Sequence, residues 1–377
     1  MYVGPSRTVR ETEAAQMLAA SVFSTTAVQT SQTLAAKNVD WREPGFLDFD
    51  HVVVVAPSPG EVVGLVRLVS RRLFRREQSF SMVGITSVCI APSHRAKGLS
   101  RDLMAASLRQ ARILGHDVVA LIARRAVDRF YPKFDFWSLS SHNRIEIALH
   151  GRPRSRRISV RPLEPADLSK AKVLRELAYA DCFGRLDRSE TLWQFLFAKW
   201  QRLGLRVLAL TCGGEFVGYA IGDKDSFVEF AANPGVDAID VIDALTPETA
   251  SLRISLPMGH PFIRSFDDLE VTMASRHCAH GGYIVRILDV DKVRAQLLER
   301  VEARARSIRL PRLTETMSGF ELSYDGSRAR VGGANLREGE LGLRGTAFLL
   351  GARLPIDAET GILAPAIPFD LAVPDHF

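Results

Sequence analysis

The sequence predicts a mixed α/β (α+β) protein with two related larger domains and a small third one. Strand-like apolar runs alternate along the chain with amphipathic helical segments, which is typical of helices packed on sheets. A helix followed by a hairpin, found in about the first 70 residues, recurs after residue 158. At 377 residues the chain is also too long for one compact domain.

The first predicted domain begins with a helix at residues 11–22, and an irregular polar stretch follows to residue 50. Two strands come next, at 51–56 and 61–70. The Pro-Ser-Pro-Gly sequence between them is a strong turn signal, so the two strands are expected to form a hairpin. A further strand at 82–90 leads into the most informative segment of the chain.

Residues 88–101 read V-C-I-A-P-S-H-R-A-K-G-L-S-R, a strand end, a turn, a basic loop and the start of a helix. Unpaired N–H groups at a helix start, together with the helix dipole, suit a diphosphate. Arg95 and Lys97 add positive charge, and Gly98 lacks the Cβ that would obstruct a close phosphate. The same pattern also suits an ordinary strand, turn and helix with a solvated basic rim, so the elements that follow decide between the two.

Those elements continue the pattern in a recognisable order. An amphipathic helix is predicted at 99–114, a buried strand at 118–123, and a short helical segment ends in the aromatic motif Y-x-x-F-x-F at 131–136. Strand, basic loop, helix, strand and aromatic motif in this order resemble the second half of a domain of the GNAT superfamily of acetyl-CoA-dependent N-acetyltransferases.

A linker rich in Gly, Pro and Arg at 150–157 marks the first expected boundary. Beyond it, an amphipathic helix at 191–200 and strands at 206–211 and 215–222 repeat the helix and hairpin of the first domain. We interpret this part as a diverged copy. We place the counterpart of its basic loop within 252–266, which has no R-x-x-G-x-G run, so the copy is not expected to bind CoA.

From residue 283 the character of the sequence changes. A strand at 284–288, a helix at 290–305, a hairpin around an Asp-Gly turn and a closing apolar segment resemble the sterol-carrier fold. The predicted domains are therefore a GNAT acetyltransferase domain at 1–150, a degenerate GNAT-like domain at 151–282 and a sterol-carrier-like domain at 283–377.

This domain order resembles the Eis-type (enhanced intracellular survival) acetyltransferases over the whole chain, although motifs can be compared only at 88–136. The resemblance implies transfer of an acetyl group from acetyl-CoA to a primary amine, carried by an aminoglycoside, a polyamine or a lysine side chain. It implies that Tyr131 is the general acid and that the C-terminal carboxylate of Phe377 is the general base. It also implies an acyl-CoA site formed by Val88, Cys89, Ile90, Arg95, Ala96, Lys97, Gly98, Leu99, Ser100, Arg101, Ala126 and Val127.

The chemistry suits these residue types, because a phenol is protonated near neutral pH and can donate a proton, whereas a terminal carboxylate is ionised and can accept one. Three points leave alternatives open. Tyr131 could equally be an aromatic residue packed in the core. Phe377 could be part of a frayed chain terminus. Asp135 stands at a position where the family usually has Gly. A non-catalytic CoA-binding scaffold and a lipid-carrier-like binding protein therefore remain alternative functions.

Composition excludes several other classes. Four well-separated cysteines indicate neither a disulfide framework nor a zinc site, and no metal is expected. No apolar run reaches the ~20 residues of a membrane span, and we expect a cytoplasmic protein without a signal peptide. The basic patches lack interleaved aromatic residues, so neither nucleic acid nor membrane is an expected partner, while a homo-oligomer remains open. We expect Cys89 to be a buried strand residue and His94 and His116 to be solvated.

Overall fold

The computed structural model describes residues 1–24, 26–44, 49–75, 78–123, 130–138, 142–148, 155–180, 185–224, 226–246, 251–256, 260–262, 271–276, 282–293 and 295–296, and three short strands between 312 and 331. These residues form the predicted mixed α/β fold with two large sheets.

The strands are β1 (Tyr2–Pro5), β2 (Val52–Ala56), β3 (Gly64–Arg75), β4 (Gln78–Ile90), β5 (Val118–Ala123), β6 (Trp137–Ser138), β7 (His142–Ala148), β8 (Ile158–Pro162), β9 (Arg185–Leu186), β10 (Arg206–Cys212), β11 (Glu215–Asp223), β12 (Ser226–Ala232), β13 (Ser251–Ser255), β14 (Val271–Arg276), β15 (Gly282–Ile287), β16 (Arg312–Thr316), β17 (Gly319–Tyr324) and β18 (Ser327–Val331). The helices are α1 (Val9–Val22), α2 (Ala27–Asp40), α3 (Leu99–Ile113), α4 (Leu168–Ala178), α5 (Glu190–Arg202) and α6 (Ala238–Leu245).

The first sheet has the strand order β1-β2-β3-β4-β5-β15-β6, and the short β9 pairs with β3. Side chains alternate between its two faces, as they must along a strand. Val52 and Val54 of β2 face a core formed with α1, whereas Val53 and Val55 face a core formed with α3. The sheet therefore lies between two helical layers, and both of its faces are covered.

The second sheet has the order β14-β7-β13-β12-β11-β10-β8 and the same layered plan. Helices α4 and α5 pack on one face, where Trp193 is completely buried, and α6 packs on the other around Val241 and Ile242. In each sheet one adjacent pair of strands is parallel, β4 with β5 and β12 with β13, and one helix connects the two strands of that pair. This correspondence supports the interpretation of the second half as a diverged copy.

The two sheets exchange one strand each. β7 precedes the second half in sequence but pairs with β13 and β14 of the second sheet. β15 follows the second half but pairs with β5 and β6 of the first sheet. The expected strand at 284–288 exists, and it belongs to the first sheet rather than beginning a separate C-terminal unit. The boundaries predicted near residues 150 and 282 therefore do not separate the sheets from each other.

A fully buried ionic cluster lies in the core of the second half. Arg188 donates through both terminal nitrogens to the carboxylate of Glu229, at 2.9 and 2.6 Å, and the hydroxyl of Tyr219 donates to the same carboxylate at 2.7 Å. Arg175 lies 3.8 Å from Glu229. Burial of charge is costly unless each group is paired and hydrogen-bonded, so this carboxylate and its partners depend on one another.

Several local predictions are confirmed, and others fail for visible reasons. The hairpins β2–β3, β10–β11 and β17–β18 all form as expected. Helix α2 and strand β1 were not predicted. The sequence of α2 is rich in Ser, Thr and Val, which have modest helix propensity, and β1 is only four residues long and ends in Pro5.

The third, three-stranded sheet is formed by β16, β17 and β18. Residues 332–377 and most of the predicted helix at 290–305 lie outside the described residues, so the sterol-carrier resemblance stays a prediction. None of the helices that the structure describes is long and apolar enough to span a membrane.

Candidate active site

The candidate site lies where the pairing of the parallel strands β4 and β5 ends. β4 and β5 pair from Met82 with Val118 to Gly84 with Ala120, and the described pairing between them ends there. Beyond this point β4 carries a bulge. Thr86 pairs with Arg67 of β3 and Cys89 pairs with Leu65, so β4 has one more residue than β3 between these two pairs. Ser87, inside the bulge, adopts a left-handed φ of 56°. A bulge bends its strand and strengthens the local twist. The end of β4 therefore diverges from β5, and backbone groups between the two strands become available to a ligand.

The basic loop after β4 has an open backbone surface. Ala96 and Gly98 have left-handed φ values of 61° and 78°, and Gly98 is the N-cap of α3. A Cβ built on Gly98 meets no atom within 4 Å, so the backbone faces open space at this point. The first N–H groups of a helix have no partner inside the helix, and the dipole is positive there. The loop therefore fits the diphosphate of an acyl-CoA.

The aromatic motif forms a 3-10 turn, Tyr131–Phe134, beside the diverging strands. The ring of Tyr131 packs edge-on against Phe130 and Phe136, with centroid distances of 5.1 and 5.8 Å. Only 7% of Tyr131 is exposed, and burial raises the pKa of its hydroxyl to about 12. Tyr131 is thus a packed aromatic residue, as one alternative expected, and it also contributes to the wall of a cavity.

These elements converge on a cavity of about 500 Å³. Its lining includes eight of the predicted acyl-CoA residues and the predicted general acid: Val88, Cys89, Ile90, Arg95, Ala96, Gly98, Leu99, Ser100 and Tyr131. Lys97 and Arg101 are exposed on the same loop and helix, and they do not contribute to this lining. Ala126, Val127 and Phe377 lie outside the described residues.

Three lining residues were not among the predicted binding residues, namely His94, Phe130 and Lys133. Phe130 and Lys133 lie within two residues of Tyr131 in the sequence, so their closeness to the aromatic motif could have identified them as lining residues. His94 ends the 3-10 turn that opens the basic loop, and its Nδ1 lies 3.0 Å from the hydroxyl of Ser93. Arg95 is held by a hydrogen bond from its Nε to the carbonyl oxygen of Ile90 at 3.3 Å.

Cys89 and His116 have structural positions. Cys89 contributes to the lining of the cavity, and as a buried strand residue it also packs among the residues of the α1 core, as expected. The expectation that His116 is solvated is wrong. Its ring nitrogens lie 2.9 and 3.1 Å from the hydroxyls of Ser81 and Ser70, and burial lowers the pKa of His116 to about 4. It lies two residues before β5 and is buried against serines of β3 and β4.

Asp135, which departs from the family pattern, has a specific environment. It adopts a left-handed conformation with φ of 57°, which Asp tolerates better than most residues, and it ends the 3-10 turn. Its carboxylate lies 3.4 Å from Nη1 of Arg286 on β15. Asp135 therefore adopts the left-handed conformation that ends the turn.

In the described part of the second half, the position equivalent to the basic loop is closed. By topology, the counterpart of the basic loop is the connection 233–237 between β12 and α6, so its placement within 252–266 was wrong. The N-cap of α6 is Asp237, whose carboxylate accepts from the N–H of Ile239 at 2.9 Å. A carboxylate at this position occupies the helix terminus and repels an anion. No group of three or more potential metal ligands occurs in the part of the chain described here.

The geometry agrees with sequence and structure comparisons. A family model described as an acetyltransferase (GNAT) domain matches residues 7–139, about a third of the chain. No curated protein matches the chain. Among solved structures, Eis1 from Mycobacterium abscessus has a TM-score of 0.59 at 14% identity, covering 93% of this chain and 90% of that one. A GCN5-related N-acetyltransferase from Anabaena variabilis has a TM-score of 0.61 at 14% identity, covering 89% and 86%.

At such identities the structural similarity establishes the fold, and the family match identifies the domain that carries the cavity. Residues 7–139 match a GNAT acetyltransferase domain, and on this match the protein is an acetyltransferase. Acetyl-CoA is the cosubstrate of domains of this kind.

Proposed function

We propose that this enzyme transfers the acetyl group of acetyl-CoA to a primary amine, carried by an aminoglycoside, a polyamine or a lysine side chain, by direct attack in the cavity of the first sheet. The observation that carries the proposal is the convergence of three features on one cavity. These are the bulged end of β4, the open N-terminus of α3 and the buried Tyr131.

Three independent features of the loop favour the binding of a diphosphate. Gly98 has room at its Cβ position, the helix N-terminus supplies N–H groups, and Arg95 and Lys97 supply positive charge. Val88 and Ile90 offer apolar contacts to the arm of the thioester, and the divergence of β4 from β5 leaves backbone N–H groups to polarise its carbonyl.

The proposed reaction needs two proton transfers. The amine nitrogen attacks the thioester carbonyl carbon, and the C–S bond breaks when the tetrahedral intermediate collapses. The hydroxyl of Tyr131 donates its proton to the departing thiolate sulfur, and with a pKa of about 12 this hydroxyl is protonated at neutral pH. The proton lost by the attacking amine passes to the carboxylate of Phe377, which we propose as the general base.

Asp135 was the sequence feature that most favoured a non-catalytic CoA-binding scaffold. The described conformation weakens that alternative, since Asp135 keeps the left-handed turn and has an ion-pair partner. A thioester-turnover assay with a panel of primary amines tests the proposal directly. Formation of free CoA together with an acetylated amine is expected. Tight CoA binding without turnover on any acceptor in the panel would favour the scaffold.

A further inference from the structure

The turn that carries Tyr131 is held by a residue about 150 positions away in the sequence. Two carbonyl oxygens of this turn accept from backbone N–H groups inside it, that of Phe130 from Lys133 at 3.3 Å and that of Pro132 from Asp135 at 3.1 Å. The carbonyl oxygen of Phe134 instead accepts a hydrogen bond from Nη1 of Arg286.

Arg286 reaches this position because of the strand exchange. β15 lies between β5 and β6, with Arg286 paired to Val119 in register. Side chains two apart on a strand share a face. Ile284 on the same face packs in the core that contains Tyr131 and Phe136, so Arg286 points to the side of the sheet on which the turn lies.

The position of the guanidinium suits both of its partners. A cation at the C-terminal end of a helical turn satisfies the last carbonyl oxygens and is favoured by the dipole. The same group lies 3.4 Å from the carboxylate of Asp135, which ends the turn in a left-handed conformation. Arg286 is largely buried, with 16% of its side chain exposed. One residue therefore fixes the end of the turn and balances the charge of Asp135.

We propose that Arg286 is a positioning residue for acyl transfer, which holds the 3-10 turn so that the hydroxyl of Tyr131 faces the cavity. This inference rests on the proposed role of Tyr131 as general acid. It assigns a positioning role in acyl transfer to β15, a strand that follows the whole second half in the sequence.

A double-mutant cycle between Arg286→Met and Tyr131→Phe tests the inference. Arg286→Met should lower kcat on the order of tenfold, since a small misplacement of a catalytic group has effects of this size or larger, while KM for acetyl-CoA stays near that of the wild type. In the Tyr131→Phe background the same substitution should cause no further loss, because the group that it positions is already absent. Arg112→Met is the control, since it removes a neighbouring positive charge that acts on Arg286, while no hydrogen bond or ion pair between Arg112 and the turn is found among the described residues; kcat should stay near that of the wild type.

A second readout does not depend on turnover. In Arg286→Met, amide hydrogen exchange should accelerate in peptides covering residues 131–136 and stay unchanged in peptides covering the loop at 95–101. Calorimetric titration with CoA should give wild-type affinity. If Arg286→Met fails to bind CoA, Arg286→Gln, which keeps an N–H donor without the charge, takes its place in the same cycle.

The outcomes separate this inference from the proposed function. Wild-type kcat in Arg286→Met, together with a slow Tyr131→Phe, would overturn the role of Arg286 and leave that of Tyr131 intact. Losses that multiply independently in the double variant would also overturn it. Full activity of Tyr131→Phe would instead refute the general-acid assignment itself.

Discussion

Gly98 and Asp237 are the N-caps of equivalent helices in the two halves of the protein, α3 and α6, and they give the two helix termini opposite character. Gly98 leaves the N-terminus of α3 open, with no atom within 4 Å of its Cβ position. Asp237 closes the N-terminus of α6 with its own carboxylate, 2.9 Å from the N–H of Ile239. One duplicated arrangement therefore leaves the helix N-terminus open in the first half and capped by a carboxylate in the second.

This difference predicts one CoA per chain. Calorimetric titration should give a stoichiometry near one, and Gly98→Glu should abolish binding, because a side chain and a negative charge would occupy the diphosphate position. Gly204→Glu is the matched control. Gly204 also has a left-handed φ, of 71°, and open space around it, so the backbone strain is comparable but no binding loop is affected. A stoichiometry of two would contradict the closed terminus of α6.

Tyr131→Phe should lower kcat while leaving CoA affinity nearly unchanged. Only the hydroxyl is removed, so the edge-on contacts with Phe130 and Phe136 are retained. General acid–base groups contribute roughly 10²–10⁴ in rate, so even a loss at the lower limit is measurable by steady-state kinetics. A variant with full activity on all accepted amines would show that Tyr131 only packs.

The proposed general base predicts sensitivity to a C-terminal extension. A few residues added after Phe377 replace its carboxylate by a neutral amide, and kcat should fall by roughly 10²–10⁴. The same extension at Met1 should be harmless. CoA affinity and circular dichroism should stay near wild type in both proteins, which separates lost chemistry from lost structure. Full activity of the extended protein would require another base.

The buried cluster around Glu229 predicts a large effect on stability. Glu229→Gln removes the carboxylate that accepts both hydrogen bonds from Arg188 and lies 3.8 Å from Arg175, and breaking a buried pair typically costs about 3–5 kcal/mol of the free energy of unfolding. The control is Lys172→Gln, which removes an exposed pair with Glu190 at 3.9 Å and should cost about 0–1 kcal/mol. Denaturant titration of both variants measures the difference, and equal losses would contradict the importance of the cluster.

Two buried histidines predict loss of stability in acid. Burial lowers the pKa of both His116 and His260 to about 4, whereas the unfolded chain has ordinary values near 6.5. Between these values the unfolded state binds more protons than the folded state. The free energy of unfolding should therefore fall as the pH falls from about 6.5 to 4, by up to about 1.4 kcal/mol for each pH unit and each histidine.

Denaturant titrations at several pH values measure this slope. His116→Asn and His260→Asn should each reduce it, because each variant removes one of the groups that the unfolded chain protonates. An unchanged slope in either variant would show that the histidine concerned does not contribute.

The sequence by itself determined the local part of the site. The basic loop, the helix after it and the aromatic motif are contiguous, and their residue types follow from local rules of turns, helix starts and close backbone approach. Eight of the predicted acyl-CoA residues and Tyr131 accordingly line the same cavity. The hairpins were predictable for the same reason, because the residues of a turn and its flanking strands adjoin in sequence.

The tertiary structure alone decided which sheet each strand joins. The largely apolar sequence of β15 predicted a strand, whereas β7, with three apolar residues in seven, was not predicted, and nothing in either sequence names the partner strand. Propensity is likewise a weak guide to a helix such as α2, because most helical stability in proteins comes from tertiary packing rather than from propensity. The contact of Arg286 with Phe134 and Asp135 depends on this exchange of strands, so it could be found only once the two sheets were seen together.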